Sequence, residues 1–440
     1  MLAMSTTTPA AAMAEDADRL RARDEEAWER LAVAGSREER AEVHEAVRAE
    51  RRAFLDRHAG EVYESLTDGL TRELSVADLV GLAAERFPGL VPAPARMAAE
   101  REHRQADKDG LEIDHGLFLS SVLGSPRSGL HLVNAMLRPR PDSLARLDEF
   151  RREGAVDLGL ARVERRGRVG TVELRNERFL NAEDDEATAA LEQGVDLVLL
   201  DPDVEVGVLR GSVATHRRYA GRRVFNSGIN LTHLYWGQIS LVDFFVNREL
   251  GLLGKIQRGL WTGGDGGGPG LEGTAEKPWI AAVESHAIGG GCQLLLIMDR
   301  VLADRGALLN LPARKEGIIP GLANLRLPRF VGERAARQAI MFGRDFRAGD
   351  EDAAGLVDGV VDPEHPDRMD EAIERDAAQL TSAGAVSASA NRKALRLGQE
   401  PVDVFRTYLA LYVREQARCI YAPALISNLE NNWQAHERKP

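Results

Sequence analysis

A chain of 440 residues is long for a single hydrophobic core and predicts about two or three domains. Its apolar share of 44% and charged share of 29% are those of a water-soluble globular protein, and no apolar run reaches the roughly 18 residues that a membrane-spanning helix needs. A net charge of −12 argues against a general nucleic-acid binder, although local arginine clusters can still hold an anion.

The amino-terminal stretch MLAMSTTTPAAAMAEDADRL lacks the basic start and long apolar run of a secretory leader and reads as a frayed tail. From about Glu15 to about Arg152 the chain is rich in Ala, Glu, Arg and Leu. Ser36 with Glu39 forms a capping-box pair, and Ser75 with Asp78 a weaker one. Apolar residues recur at helical spacing in AEVHEAVRAERRAFLDRHAGEVYESL. PGLVPAPARM interrupts the helical run, and HGLFLSSVLGSPRSGLHLVNAML is apolar enough to pack on another domain. GSPRSG, starting at Gly124, lacks the Lys-Ser/Thr of a phosphate loop. An all-helical domain is expected over residues 1–160.

The pattern changes near Arg165. GRVGTVELR, VEVGVLRGS and KPWIAAVES read as three strands, and DRVLADRGALLNLP as a fourth and a fifth. Helical patterns intervene, which predicts repeated βα units over residues 161–368. Residues 369–440 are helical again. Before the third strand, residues 263–270 are almost all glycine and read either as a surface insertion or as a lid over a site. The two cysteines, Cys292 and Cys419, lie in apolar, helix-like contexts and predict buried thiols in a reducing cytoplasm. The ten histidines are scattered, and His365 with Asp367 lies in a proline-bounded turn, so no metal site is expected.

Two segments share one design. In RRVFNSGINL a strand gives way to Asn226, Ser227, Gly228 and Ile229; in SHAIGGGCQLL a strand gives way to Gly289, Gly290 and Gly291 at a helix start. Each can present a free backbone N–H. Two such groups converging on one oxygen form an oxyanion hole, and glycine-rich helix starts also bind phosphates.

These segments, together with RVGTVELRNERFLNAEDDEA and KEGIIPGLANLRLPRFVGERAARQAIMFGRDFRAGDEDAAGLVDGVV, resemble in order the enoyl-CoA hydratase/isomerase (crotonase) superfamily. The resemblance spans roughly Arg165 to Val361 and implies a spiral of ββα units, an acyl-CoA thioester substrate and a homotrimer or dimer of trimers. It also implies that the N–H groups of Ile229 and Gly290 hold the thioester oxygen as an enolate. Hydratases of this superfamily keep one glutamate where this chain has Gln293 and another where it has Ala313. An amide is too weak a base to deprotonate water and alanine carries no such group, so hydration is not expected. Glu316, close to Ala313, reads as a partner in a salt bridge.

The long helical region before the core and the loss of both glutamates are similar to one branch of the superfamily, the cofactor-independent dioxygenases of glycopeptide-antibiotic biosynthesis that act on a dihydroxyphenylacetyl-CoA. That resemblance implies oxidation by O2 without metal or flavin. Glu183 and Arg248 are then expected to bind ring hydroxyls, with Glu183 assisting deprotonation, and Gln293 to hydrogen-bond near the thioester. His216, Arg217, Arg222, Arg223, Phe225 and Asn230 are expected around the CoA portion, and Ala313, Ile318 and Ile229 around an O2 pocket. Two other readings stay open: a thioester hydrolase on the same fold, with Glu183 as the base for water, and a non-catalytic CoA-binding scaffold.

Overall fold

The structure, a computed structural model, describes residues 9–261, 273–362, 367–382, 384–434 and 437–439. Residues 1–8, the glycine-rich stretch 263–270 and the turn holding His365 lie outside the described residues; the rest of the stretch expected to fray, from Pro9 to Leu20, is instead part of a helix, anchored by the buried Leu20.

The amino-terminal part is helical. Long helices run Pro9–Val33 and Arg37–Leu66, followed by Val76–Arg86, Pro94–Arg101, Glu112–Gly124, Pro126–Met136 and Pro141–Glu153. Both expected caps form. Ser36 Oγ accepts from the Glu39 N–H at 3.1 Å and Ser75 Oγ from the Asp78 N–H at 3.1 Å, each satisfying an otherwise orphaned donor. Glu39 reaches back to the Gly35 N–H at 2.7 Å, one residue before the position a capping box uses.

The strands follow in chain order: β1 Ala155–Asp157, β2 Ala161–Arg166, β3 Val169–Leu174, β4 Val206–Gly211, β5 Leu260–Trp261, β6 Thr274–Ala275, β7 Trp279–Val283, β8 His286–Ile288, β9 Arg300–Asp304, β10 Leu308–Asn310, β11 Phe346–Arg347 and β12 Gly359–Val361. Seven make one sheet in the order β1-β2-β3-β4-β7-β9-β12. It is antiparallel through β1, β2 and β3 and parallel from β3 to β12. A second sheet, β11-β10-β8, stands beside it. β4 and β7 are buried along their whole length, as continuous apolar runs in a parallel sheet must be. The five strands expected from sequence are β3, β4, β7, β9 and β10, and the architecture is α/β with helical additions at both ends.

One core fills the space between the main sheet and helices such as Asp185–Leu200, and a smaller one lies under helix Arg368–Thr381 on the opposite face. A third unites the amino-terminal helices with the segment Leu241–Leu250 and the carboxy-terminal helix Val402–Cys419. Helix Glu112–Gly124 lies close along Val402–Cys419: a Cβ on Gly116 would stand 2.6 Å from the Ala417 Cβ. Glu112 ties the parts together, accepting from the Leu241 N–H at 2.7 Å and from the Tyr421 hydroxyl at 2.8 Å. No helix of the described residues is long and apolar enough to cross a membrane. Cys292 is buried and Cys419 half-buried, both as free thiols, so the second is less enclosed than expected.

Glu400, at the end of helix Ala385–Gln399, is buried among arginines. It accepts from Arg326 at 2.9 and 3.0 Å and from Arg258 at 3.1 Å. Burial alone would raise its carboxyl, but Arg326 and Arg258 outweigh that and hold it at about 2. Glu400→Ala leaves those guanidiniums buried without an anion and is expected to lower stability by about 3–5 kcal/mol in urea unfolding. Because the folded pKa is depressed, the Glu400 contribution is full above the ordinary carboxylate range and fades as pH falls towards about 2. The stability gap between the Ala variant and the parent must therefore narrow in acid; a gap independent of pH would refute the assignment.

Candidate active site

The two glycine-bearing segments lie side by side. Asn226 pairs with Ala287 across an isolated parallel bridge, and Glu183 pairs with Ile229 across another. Asn226 Oδ1 accepts the Gly228 N–H at 2.7 Å and so sets the turn, which the positive φ of 80° at Gly228 completes. Gly289 turns the second segment with φ 52°, and a Cβ on Gly228 would stand 3.4 Å from the Gly290 nitrogen. Neighbouring N–H groups are in use: Asn230 donates to Glu183 O at 2.7 Å and Gly289 to Asn310 O at 2.9 Å. Among the described residues the N–H groups of Ile229 and Gly290 have no acceptor. An oxygen carrying negative charge between them would satisfy both donors.

Behind Gly290 stands Arg248, carried on the π-type turns Leu241–Val246 and Arg248–Leu252, a helical form often found at functional sites. Its guanidinium is 4% exposed and donates in five directions: to Glu183 Oε2 at 2.8 Å and Oε1 at 3.3 Å, Gln293 Oε1 at 2.9 Å, Gly290 O at 2.8 Å and Glu249 Oε1 at 3.3 Å. Burial opposes the charge, but Glu183 and Glu249 outweigh it, and Arg248 titrates above its ordinary value. All five of its N–H groups are spent on the protein, so Arg248 orients Glu183 and Gln293 rather than reaching outward itself.

These groups line a narrow inner cavity of about 30 Å³, room for a water-sized molecule. Glu183, Ile229, Arg248, Gly290, Gln293, Ala313 and Ile318 all face it, so the expected catalytic and O2-pocket residues are brought together. An outer, larger cavity of about 680 Å³ adjoins it, lined by His216 and Asn230 among others. The other residues expected around CoA lie elsewhere. Phe225 is 2% exposed in the main core, because alternation along its extended segment turns it inward. Arg223 is half-buried in an ion pair with Glu173, and exposed Arg222 donates to the Glu284 carbonyl at 3.3 Å. Arg217 is exposed and lines neither cavity. The Asn230 side chain is engaged as a helix cap, accepting the His233 N–H at 3.2 Å.

The outer cavity takes its cations from other segments: Arg178, Arg218, Lys315 and Arg438. His286 on its wall bonds Ser227 Oγ at 2.8 Å, and burial, helped by Arg218 and Arg222, pushes its pKa down to about 4, so it is neutral near pH 7. The inner cavity also holds Glu249 and Tyr412. Glu249 directly follows Arg248 and faces inward because the widened helical turns bring both residues to one side. Tyr412 arrives from the carboxy-terminal helix, which no local pattern could indicate. Glu316 faces both cavities, and its side chain has no hydrogen bond or ion pair among the described residues. The salt bridge expected of it is absent: the cations near it in sequence, Arg314 and Lys315, do not neutralise it, and burial alone raises its carboxyl to about 7. Among the described residues no group of three or more His, Cys, Asp and Glu side chains is arranged to hold a metal.

The chain belongs to the enoyl-CoA hydratase/isomerase (crotonase) superfamily: residues 273–411 match the family model Enoyl-CoA hydratase/isomerase, and the long relative below extends the match over most of the chain. That relative is the (3,5-dihydroxyphenyl)acetyl-CoA 1,2-dioxygenase of Amycolatopsis orientalis, 48% identical over 393 residues, which are 89% of this chain and 88% of that protein. A probable mitochondrial enoyl-CoA hydratase of Dictyostelium discoideum is 29% identical over 199 residues, 45% of this chain and 62% of that protein. The solved structure of EchA1_1 from Mycobacterium paratuberculosis shares the fold, with a TM-score of 0.50 at 24% identity over 64% of this chain and 98% of that one.

A Cβ on Gly290 would collide with Glu183 Oε2 and stand 3.0 Å from Arg248 Nη2. Gly290→Ala is therefore expected to cost about 1–3 kcal/mol in urea unfolding, by forcing the buried ion pair apart. Gly60→Ala, inside helix Arg37–Leu66 with nothing within 4 Å, serves as the control and is expected to be neutral or stabilising by up to about 1 kcal/mol. Equal midpoints for the two variants would contradict the close approach at Gly290.

Proposed function

We propose that the protein is a dioxygenase that converts 3,5-dihydroxyphenylacetyl-CoA and O2 into 3,5-dihydroxyphenylglyoxylate and CoA, through a thioester enolate and without metal or flavin. What carries the proposal is the pair of positions at which hydratases keep their acids. Gln293 and Ala313 both face the inner cavity, and neither can activate water. The relative that matches most of the chain acts, by its name, on this thioester.

The chemistry follows from the groups present. Ground-state O2 is a triplet and reacts poorly with closed-shell carbon. An arylacetyl thioester has an acidified α-carbon, and its enolate, delocalised over thioester and ring, can give one electron to O2. The free N–H groups of Ile229 and Gly290 stabilise the enolate oxygen, an effect that grows where water is excluded. The α-peroxide then attacks the thioester carbonyl and expels CoA thiolate, and cleavage of the O–O bond leaves the α-keto acid. One oxygen atom ends in the ketone and the other in the carboxylate, while both α-hydrogens leave as protons. Ala313, Ile318 and Ile229 offer an apolar wall for O2 beside the α-carbon. Glu183, held by Arg248, accepts from a ring hydroxyl, and Gln293 hydrogen-bonds near the thioester. The cations of the outer cavity suit CoA phosphates in an otherwise acidic protein. A homotrimer or dimer of trimers in the cytoplasm completes the proposal, in keeping with the superfamily and with two free thiols.

With 3,5-dihydroxyphenylacetyl-CoA, protein freed of metal by a chelator is expected to consume one O2 per CoA released, and to release none without O2. CoA release in anaerobic buffer would instead identify a hydrolase, and loss of O2 uptake on chelation would remove the metal-independent part. Ala313→Glu is expected to abolish O2 uptake by filling the apolar wall with a carboxylate; unchanged turnover would reject the O2 pocket.

A further inference from the structure

Of the residues lining the inner and outer cavities, Ile229 and Glu316 line both. A thioester oxygen at the Ile229 N–H, with the aryl group directed to the inner cavity and the CoA arm to the outer one, puts the α-carbon at their junction. Glu316 stands at that junction. It ends the short helix Ala313–Glu316, one turn beyond the position where hydratases keep an acid. Of the other carboxylates of the inner cavity, Glu183 accepts from Arg248 through both oxygens, and Glu249, which accepts from Arg248 through one oxygen and whose carboxyl burial raises, lines the inner cavity alone, away from that junction. A carboxylate paired with a guanidinium is a weaker base than a bare one in the same dry surroundings.

We infer that Glu316 is the catalytic base that removes the α-proton of the bound arylacetyl thioester and later gives it to the departing CoA sulfur. This rests on the function proposed above and names the group that starts it. In the first step the Cα–H bond breaks, the proton bonds to a Glu316 oxygen, and the electron pair stays in the enolate held at Ile229 and Gly290. O2 is the only oxidant. When the C–S bond breaks, Glu316 protonates the thiolate and is an anion again for the next turnover; the second α-proton leaves to water as the O–O bond opens. A carboxyl raised to about 7 by burial can both take and release a proton near neutrality. The outer cavity, which Glu316 also lines, is the path by which the sulfur departs past it.

The test is anaerobic α-hydrogen exchange of 3,5-dihydroxyphenylacetyl-CoA in D2O, read by mass spectrometry, with O2 uptake measured in parallel. Glu316→Gln is expected to slow both by about 100-fold or more, with anaerobic binding of the thioester preserved. Glu316→Asp, with a carboxylate one methylene shorter, is expected to exchange at an intermediate rate, and it carries the test should the Gln variant fail to fold. Exchange by Glu316→Gln at the parental rate overturns the assignment, as does an Asp variant as slow as the Gln variant while binding is intact. If the parent protein neither exchanges nor consumes O2 with this thioester, the proposed function itself fails, an outcome distinct from the loss of Glu316 alone.

Discussion

The guanidinium of Arg248 is enclosed in protein, with all five N–H groups directed at acceptors of the inner cavity wall. Much of the site depends on that one group. It fixes the rotamers of Glu183 and Gln293 and ties the carbonyl of Gly290 at the start of the glycine-bearing helix. Removing a guanidinium from water is costly, and only a full set of partners offsets it. The surrounding sequence is shaped to that need. A Cβ at Gly290 would strike the ion pair, and one at Gly321 would press on Glu249 and Gln293. The charge pattern continues outward through Glu249, Arg326, Glu400 and Arg258, alternating in sign, so the pocket is anchored to the start of the carboxy-terminal helices.

That arrangement gives Gln293 a reason beyond catalysis. Arg248 already faces two carboxylates, Glu183 and Glu249. A glutamate at 293 would set a third anion around the same cation in a dry cavity, and like charges so close cannot all remain ionised. An amide accepts the same hydrogen bond without adding charge. The absence of a hydratase acid at this position and the presence of Arg248 are two sides of one electrostatic constraint. Ala313 has no such tie; its wall is apolar, and the carboxylate nearest in sequence, Glu316, is left without a cation.

Where local physics decides position, the sequence was sufficient to read. Strands β3, β4, β7, β9 and β10 follow from apolar runs bounded by turns, and the paired segments around Gly228 and Gly290 from glycine where the backbone must come close. The resemblance to a superfamily then placed Glu183, Arg248, Gln293 and Ala313 in one pocket, and the structure brings them together. The outer cavity was far less legible. Arginines at 222 and 223 look like an anion site in one dimension, yet one pairs with Glu173 and the other lies along the surface. The cations that do face the cavity come from segments as distant as Arg178 and Arg438, and only tertiary packing joins them. Glu316 was misread for a related reason. Two basic residues precede it, and Lys315 lines the outer cavity with it, yet neither forms an ion pair with it, and nothing in the linear order shows that its side chain is left bare.

The helical additions at the two ends of the chain act on the same chemistry. Phe244 and Phe245 line the inner cavity and belong to the core built by the amino-terminal helices and by Val402–Cys419. That carboxy-terminal helix sends Tyr412 into the cavity and is itself gripped by helix Glu112–Gly124, with the Ser120 hydroxyl donating to the Ala410 carbonyl at 2.7 Å. A wall built from three distant parts of the chain excludes water better than a loop would, because opening it means separating packed helices. Dryness serves both halves of the site. It strengthens the N–H groups of Ile229 and Gly290 towards a charged oxygen, and it raises the carboxyl of the half-buried Glu316 to about 7. Loosening the packing between helices Glu112–Gly124 and Val402–Cys419 therefore admits water to both halves at once, weakening the oxyanion donors and the basicity of the carboxylate together although neither group is touched.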